Sequence, residues 1–105
     1  MMINLTPHAI VVRDGETEQV FSPSGTAARL KTETRPAVAG IDVVRTITVG
    51  VEGLPDPRPG ICHLVSSLVA QVVRRPDLFA PDTGTTAIRD STGQIAAVTG
   101  FQQFA

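Results

Sequence analysis

Apolar residues in this chain come in short runs, separated by glycine, proline, aspartate and asparagine. Such runs are strand-like wherever they alternate or stay brief between turn residues. Residues 9–13 read as a strand, Asp14-Gly15 as a tight hairpin turn and residues 17–21 as the returning strand. Ser22-Pro23-Ser24-Gly25 breaks the pairing. Residues 27–34 predict a third strand, ended by Arg35-Pro36. Residues 41–51, rich in Val, Ile and Thr, predict a long strand bent near Gly50. In residues 54–60 three prolines, Pro55, Pro57 and Pro59, each remove a backbone donor, so this segment reads as a rigid surface connection.

Residues 61–65 predict a short buried strand. One segment then switches to the helical period. Val65, Leu68, Val69, Val72 and Val73 recur at spacings that place them on a single helix face. Ser66 or Ser67 offers an N-terminal cap, Arg74 and Arg75 fall in the last turn, and Pro76 stops the helix. Valine is a weak helix former, so packing must hold this element. After an irregular stretch over 77–86, residues 87–89 and 95–101 predict a second hairpin around Asp90-Ser91-Thr92-Gly93. The fold class expected is α+β, a small mostly antiparallel sheet of about six or seven strands with one helix packed on one face.

Composition narrows the function. The 105 residues fit one domain spanning 1–105. There is no Trp, no Tyr and only four Phe, which removes the exposed rings that stack single-stranded bases. The net charge of −1 lacks the basic excess of a phosphate-neutralising protein, so DNA or RNA binding is not expected. Lys31 is the one lysine among nine basic residues. The arginines suit planar anions such as phosphate or carboxylate, which their rigid fork grips bidentately. Cys62 is alone, so it forms no internal disulfide, and His8 and His63 have no metal-ligand spacing; no metal and no cofactor are expected. The N-terminus reads as no signal peptide and no run is long enough to span a membrane, which predicts a cytoplasmic protein without membrane partners. One helix cannot cover both faces of an apolar sheet, so a homo-oligomer is expected.

No catalytic residue is assigned. Ser66-Ser67 lacks the flanking glycines of a nucleophile elbow; it reads either as a helix cap or as an anion site at the helix start. Ser22-Pro23-Ser24-Gly25-Thr26 lacks the P-loop pattern and reads as a plain turn or as a cradle beside Arg29. Asp82-Thr83-Gly84 is a turn or part of a binding loop. The candidate ligand-binding set is therefore Asn4, Thr6, His8, Ser24, Gly25, Arg29, Ser66, Ser67, Asp82, Thr83 and Arg89. Arg29 and Arg89 supply charge, Ser24, Thr83 and the Ser66-Ser67 pair donate hydrogen bonds, and Asn4, Thr6 and His8 line the edge.

Certain motifs carry a family likeness. Asn4-Leu5-Thr6-Pro7-His8, Pro23-Ser24-Gly25 with Ala28-Arg29, Leu54-Pro55, Val65-Ser66 with Val69-Ala70, Arg75-Pro76-Asp77-Leu78, Pro81-Asp82-Thr83-Gly84 and Arg89-Asp90 follow one another as in a family of short hypothetical proteins encoded in phages, prophages and bacterial genomes, which this chain resembles over nearly its whole length. Where that family usually has an aromatic before the Val-Ser step, this chain has Cys62-His63. The resemblance implies a phage-encoded protein at work in the bacterial host cytoplasm. Compact phage proteins of this size often act without catalysis, by blocking a host protein or by acting as a sponge for a nucleotide signal of host defence. The leading expectation is thus an anti-defence protein that sequesters a small anionic, nucleotide-type ligand. The alternatives are a protein–protein interaction or virion assembly accessory, and a small hydrolase-like enzyme.

Overall fold

The structure, a computed structural model, describes residues 1–36 and 44–105. The expected start of the long strand at 41–43 lies outside the described residues. In chain order the elements are β1 (Met2–Asn4), β2 (Ile10–Asp14), β3 (Thr17–Phe21), β4 (Arg29–Pro36), β5 (Val44–Glu52), β6 (Cys62–Leu64), α1 (Ser67–Val73), β7 (Leu78–Pro81), β8 (Ile88–Arg89), β9 (Ile95–Ala97) and β10 (Phe101–Gln102).

The α+β class holds, with one helix among the described residues, whose strands form several small sheets in place of one antiparallel sheet. The largest sheet runs in the order β1-β6-β7-β10, with β1, β6 and β7 parallel and only β10 antiparallel to its neighbour. Three two-stranded ribbons, β2-β3, β4-β5 and β8-β9, surround it. Parallel neighbours need a crossover, and α1 supplies it between β6 and β7. The pattern of the sequence hides this for a physical reason. β1 and β6 have three residues each and β7 four, too few for a period to emerge, and β7 ends on Pro81 in a stretch that reads as irregular. Its alternation is nonetheless regular, with Leu78 and Ala80 buried and Phe79 and Pro81 half-buried. The expected hairpin at 87–101 also resolves differently. Residues 95–97 pair with β8 and lie beside β2, where Val98 donates to Val11 O at 2.8 Å and Arg13 donates to Val98 O at 2.8 Å, while Phe101 and Gln102 leave to join β7.

The core is small-residue and lies between the sheet, α1 and the base of β4. Leu5, Ala28, Val65, Val69, Ala70, Leu78 and Ala80 form it, with Leu30, Val51, Leu54, Val73 and Phe104 packed on its rim. Ser66 caps α1 by accepting the Val69 amide at 3.3 Å. The helix ends at Arg74, which takes the left-handed conformation (φ 55°) and donates its amide to Ala70 O; the arginine is thus a cap and not part of the last turn. The expected apolar face is covered only in part. Val69 and Ala70 are buried, but Leu68 is 65% exposed and Val72 52%. A crossover helix this short presents one narrow side to the sheet, so the rest of its valine and leucine stripe faces out.

The β4-β5 ribbon pairs from Arg29↔Glu52 to Pro36↔Val44, with a bulge opposite the Lys31/Thr32 step. Cross-strand partners share a face, so Leu30↔Val51, Thr32↔Thr48 and Thr34↔Thr46 lie on the side continuous with the core. Arg29↔Glu52, Lys31↔Gly50 and Glu33↔Ile47 lie on the other. At its base Gly53 (φ 77°) turns the chain so close to Ala27 that a Cβ would collide with the Ala27 carbonyl oxygen. Thr32, Thr34, Thr46 and Thr48 are exposed, so the ribbon leaves the core as an arm. The molecule measures 57 × 39 × 25 Å with a radius of gyration of 16.3 Å, against about 13 Å for a compact chain of this length. Among the described residues no helix is long and apolar enough to cross a membrane.

Candidate functional site

The loop joining β3 to β4 is stitched to the end of β1 at both of its feet. Ser24 donates its amide to Asn4 O at 3.0 Å, and Ala28 donates its own to Leu5 O at 2.9 Å. Between these anchors Gly25 takes a positive φ of 100° and the Ser24 hydroxyl donates to Thr26 O at 3.2 Å. The loop therefore stands as a fixed ridge, and three clefts open around it. One, of about 500 Å³, is lined by Ile3, Leu5, Ser24, Thr26, Gly53, Leu54 and Pro55. A second, of about 230 Å³, lies among Thr6, Pro7, Pro23, Gly25, Thr26, Ala27 and Arg29. The third, of about 390 Å³, runs between β4 and α1, past Pro7, Ala28, Arg29, Leu30, Ser66 and Leu68.

Arg29 stands on the wall shared by the second and third clefts. It is exposed, and its guanidinium has no hydrogen bond or ion pair with the described residues. Arg13 is engaged with Glu18 at 2.9 Å, Arg75 with Asp77, and Arg74 with the Gln71 carbonyl at 3.0 Å, whereas exposed Arg58, like Arg29, has no side-chain partner among the described residues.

The candidate residues separate into a group around the ridge and a group elsewhere. Thr6, Ser24, Gly25, Arg29 and Ser66 line the clefts. Asn4, at 2% exposure, lies beneath them as an internal staple: its Nδ2 donates to His8 O (2.9 Å) and Phe21 O (2.8 Å), and its Oδ1 accepts the Thr6 amide at 2.9 Å. The Thr6 hydroxyl lies 2.7 Å from Asn4 Oδ1 and 2.9 Å from His8 O, sharing its one proton between them. Asn4 thus uses its full hydrogen-bonding complement inside the protein. His8 is exposed and enters the network through its backbone. Ser66 Oγ is engaged as the helix cap, and Ser67 begins the helix half-buried.

Arg89, Asp82 and Thr83 do not join this group. Arg89 Nη1 donates to Gly93 O at 2.8 Å inside the β8-β9 turn. Asp82 Oδ1 accepts the Gly84 amide at 3.2 Å, closing a local turn. Thr83 lines a separate cleft of about 180 Å³ with Ile10, Pro81 and Ile95. Arg89 and Asp82 are satisfied within their own turns, by Gly93 and Gly84, while Thr83 shares its cleft with Ile10 and Ile95 from distant parts of the chain. Sequence reasoning missed Pro7, Leu54 and Leu68 as cleft walls. Gly53 and the prolines after it carry the only signal, since a tight return of the chain must pass beside some other segment.

A second cluster sits at the other end of α1. His63, 2% exposed, holds its Nδ1 2.9 Å from Asp77 Oδ2. Arg75 donates to the same carboxylate through Nε (2.9 Å) and Nη2 (2.6 Å), and its Nη2 also reaches Pro55 O at 3.0 Å. The Arg75 hydrogen bonds hold the Asp77 carboxyl down at about 2, with the His63 bond adding to them. A carboxylate only accepts, so His63 Nδ1 carries the proton. The cluster ties β6, β7 and the proline-rich connection together. The chain matches no family model, no curated protein and no solved structure.

Proposed function

We propose that this protein is a non-catalytic binding protein for a small anionic ligand of nucleotide type, encoded by a phage or prophage and working as a homo-oligomer in the bacterial host cytoplasm as a sponge for a defence signal. The observation that carries the reading is Arg29. A guanidinium without a partner among the described residues, held beside a glycine-containing ridge and between two clefts, is arranged to meet an anion from outside. Thr26 and Ser24 add hydroxyls on the same ridge, and Pro7, Leu30 and Leu68 give an apolar wall for a base or similar flat group. Asn4 and Thr6 support the reading from below, by keeping the ridge fixed. The phage setting comes from the likeness of the motifs described above.

The experiment is calorimetric and thermal-shift titration of purified protein with cyclic nucleotides, ADP-ribose-type compounds and inorganic phosphate, beside Arg29→Ala. The reading expects saturable binding of at least one nucleotide, weakened about tenfold or more by Arg29→Ala, equal to the loss of one charge-assisted contact of about 1.4 kcal/mol. Absence of binding by every compound, or equal binding by Arg29→Ala, overturns it.

The alternative reading, a protein-interaction or assembly accessory, is favoured by one specific feature. Leu68, Val72 and Val49 are 65%, 52% and 50% exposed. A host or virion protein retained on wild-type beads and lost on Leu68→Glu would establish it. For the hydrolase reading, which Ser66 and His8 would carry, Ser66 Oγ is engaged as a helix cap and His8 is exposed, joining its network through its backbone carbonyl.

A further inference from the structure

The β4-β5 ribbon presents the long outer side of β4 without a strand partner among the described residues. The direction of its free groups follows from its base. Ala28 gives its amide to Leu5 O, away from β5. Strand amides alternate in direction, so those of Leu30, Thr32 and Thr34 point to that same outer side. Beyond the ladder with β5, no backbone bond among the described residues engages them. The cleft between β4 and α1 opens along this side, with Leu68 largely exposed beside it. A two-stranded ribbon standing clear of a core is marginal in water, and an unpaired edge of this length recruits another strand.

We infer that a second copy of this chain occupies the edge, its β4 running antiparallel to the first about a two-fold axis through Thr32. This specifies the interface of the homo-oligomer proposed above; it rests on that oligomer and not on the ligand. The choice of partner comes from charge. In a continuous sheet, residues opposite one another share a face, so the axis must pass through a residue. An axis at Lys31 sets Lys31 on itself, and one at Glu33 sets Glu33 on itself. An axis at Thr32 sets Lys31 of each copy against Glu33 of the other, twice per dimer. The same register matches Leu30 with Thr34 and Thr32 with itself, so each outward amide meets an outward carbonyl. Glu33 already has a partner in its own chain, and a carboxylate accepts more than one donor. At either end Arg29 comes opposite position 35, also arginine, where like charges disfavour pairing, so the paired segment is 30–34.

The test is light scattering coupled to gel filtration across a concentration series, without ligand. Wild-type protein is expected as a dimer, with Lys31→Glu at least about tenfold weaker and the exchange K31E/E33K restoring the dimer. Thr32→Pro removes only an outward donor and is expected to give a folded monomer, checked by circular dichroism. A wild-type monomer at about 100 µM, well above the micromolar range of ordinary dimers, overturns the inference. So does a dimer that Lys31→Glu leaves unchanged, or one that folded Thr32→Pro retains. Because no ligand is present, a failed dimer and a failed nucleotide titration are read separately.

Discussion

At the scale of single residues, Asp77 has the clearest energetic signature. Its folded carboxyl is held at about 2 by Arg75 first and His63 second, against about 3.9 in the unfolded chain. A depressed carboxyl contributes stability that is complete above the unfolded value and is lost as pH falls through the folded one. The window is therefore about pH 4 down to about pH 2, and the contribution is of order 2 kcal/mol. Urea unfolding of wild-type protein followed across this range is expected to show that decline. Asp77→Asn is expected to be less stable than wild type by about 2–3 kcal/mol at pH 7, because His63 and Arg75 lose a shared acceptor. The difference should shrink toward pH 2. Of the single residues, Asn4 shows how far sequence reasoning reaches. Its polar motif marks it as special, and the structure shows the reason to be an internal staple; a side chain's partners lie up to seventeen positions away, at Phe21.

At the scale of elements, α1 was legible from spacing, serine and proline; its start at Ser67 falls at the serine pair, while its end at Val73 comes before Arg74, Arg75 and Pro76. Seven residues are too few for a helix to persist alone in water, so its cap and its packing decide it. Ser66→Ala is expected to lower stability by about 1 kcal/mol without changing the fold, measured by urea unfolding and far-ultraviolet circular dichroism. The side of the helix that is covered was not legible. A 3.6-residue period marks a stripe of five apolar residues, whereas the width of the contact depends on the neighbour, here Leu78 and the base of β4. β7 was missed for a related reason. Four residues ending on a proline carry no usable period, yet they sit between β6 and β10 in the sheet.

At the scale of the whole molecule, the arm and the core are separable. Leu30 and Val51 pack on the core, while the threonine pairs beyond them do not. Joining Thr32 to Thr48 through an Asn-Gly turn is expected to leave the central sheet and α1 folded, with hydrogen-exchange protection of Val65 and Leu78 unchanged. Loss of that protection would show the arm to be part of the folding unit. The ridge and Arg29 belong to the same scale, because Ser24, Arg29 and Leu54 come together only through β1 and the base of the arm.

The sequence by itself determined the α+β class, the β2-β3 hairpin, the lone helix with its serine cap, the proline-rich connection and the glycine ridge before Arg29. These depend on neighbours within a few positions, through backbone torsions, caps and local periodicity. The tertiary structure decided that the sheet is mixed, that His63 finds Asp77 and that Arg29 faces open clefts. Those outcomes rest on contacts between distant segments, and a residue's spacing along the chain does not state which distant surface its side chain will meet.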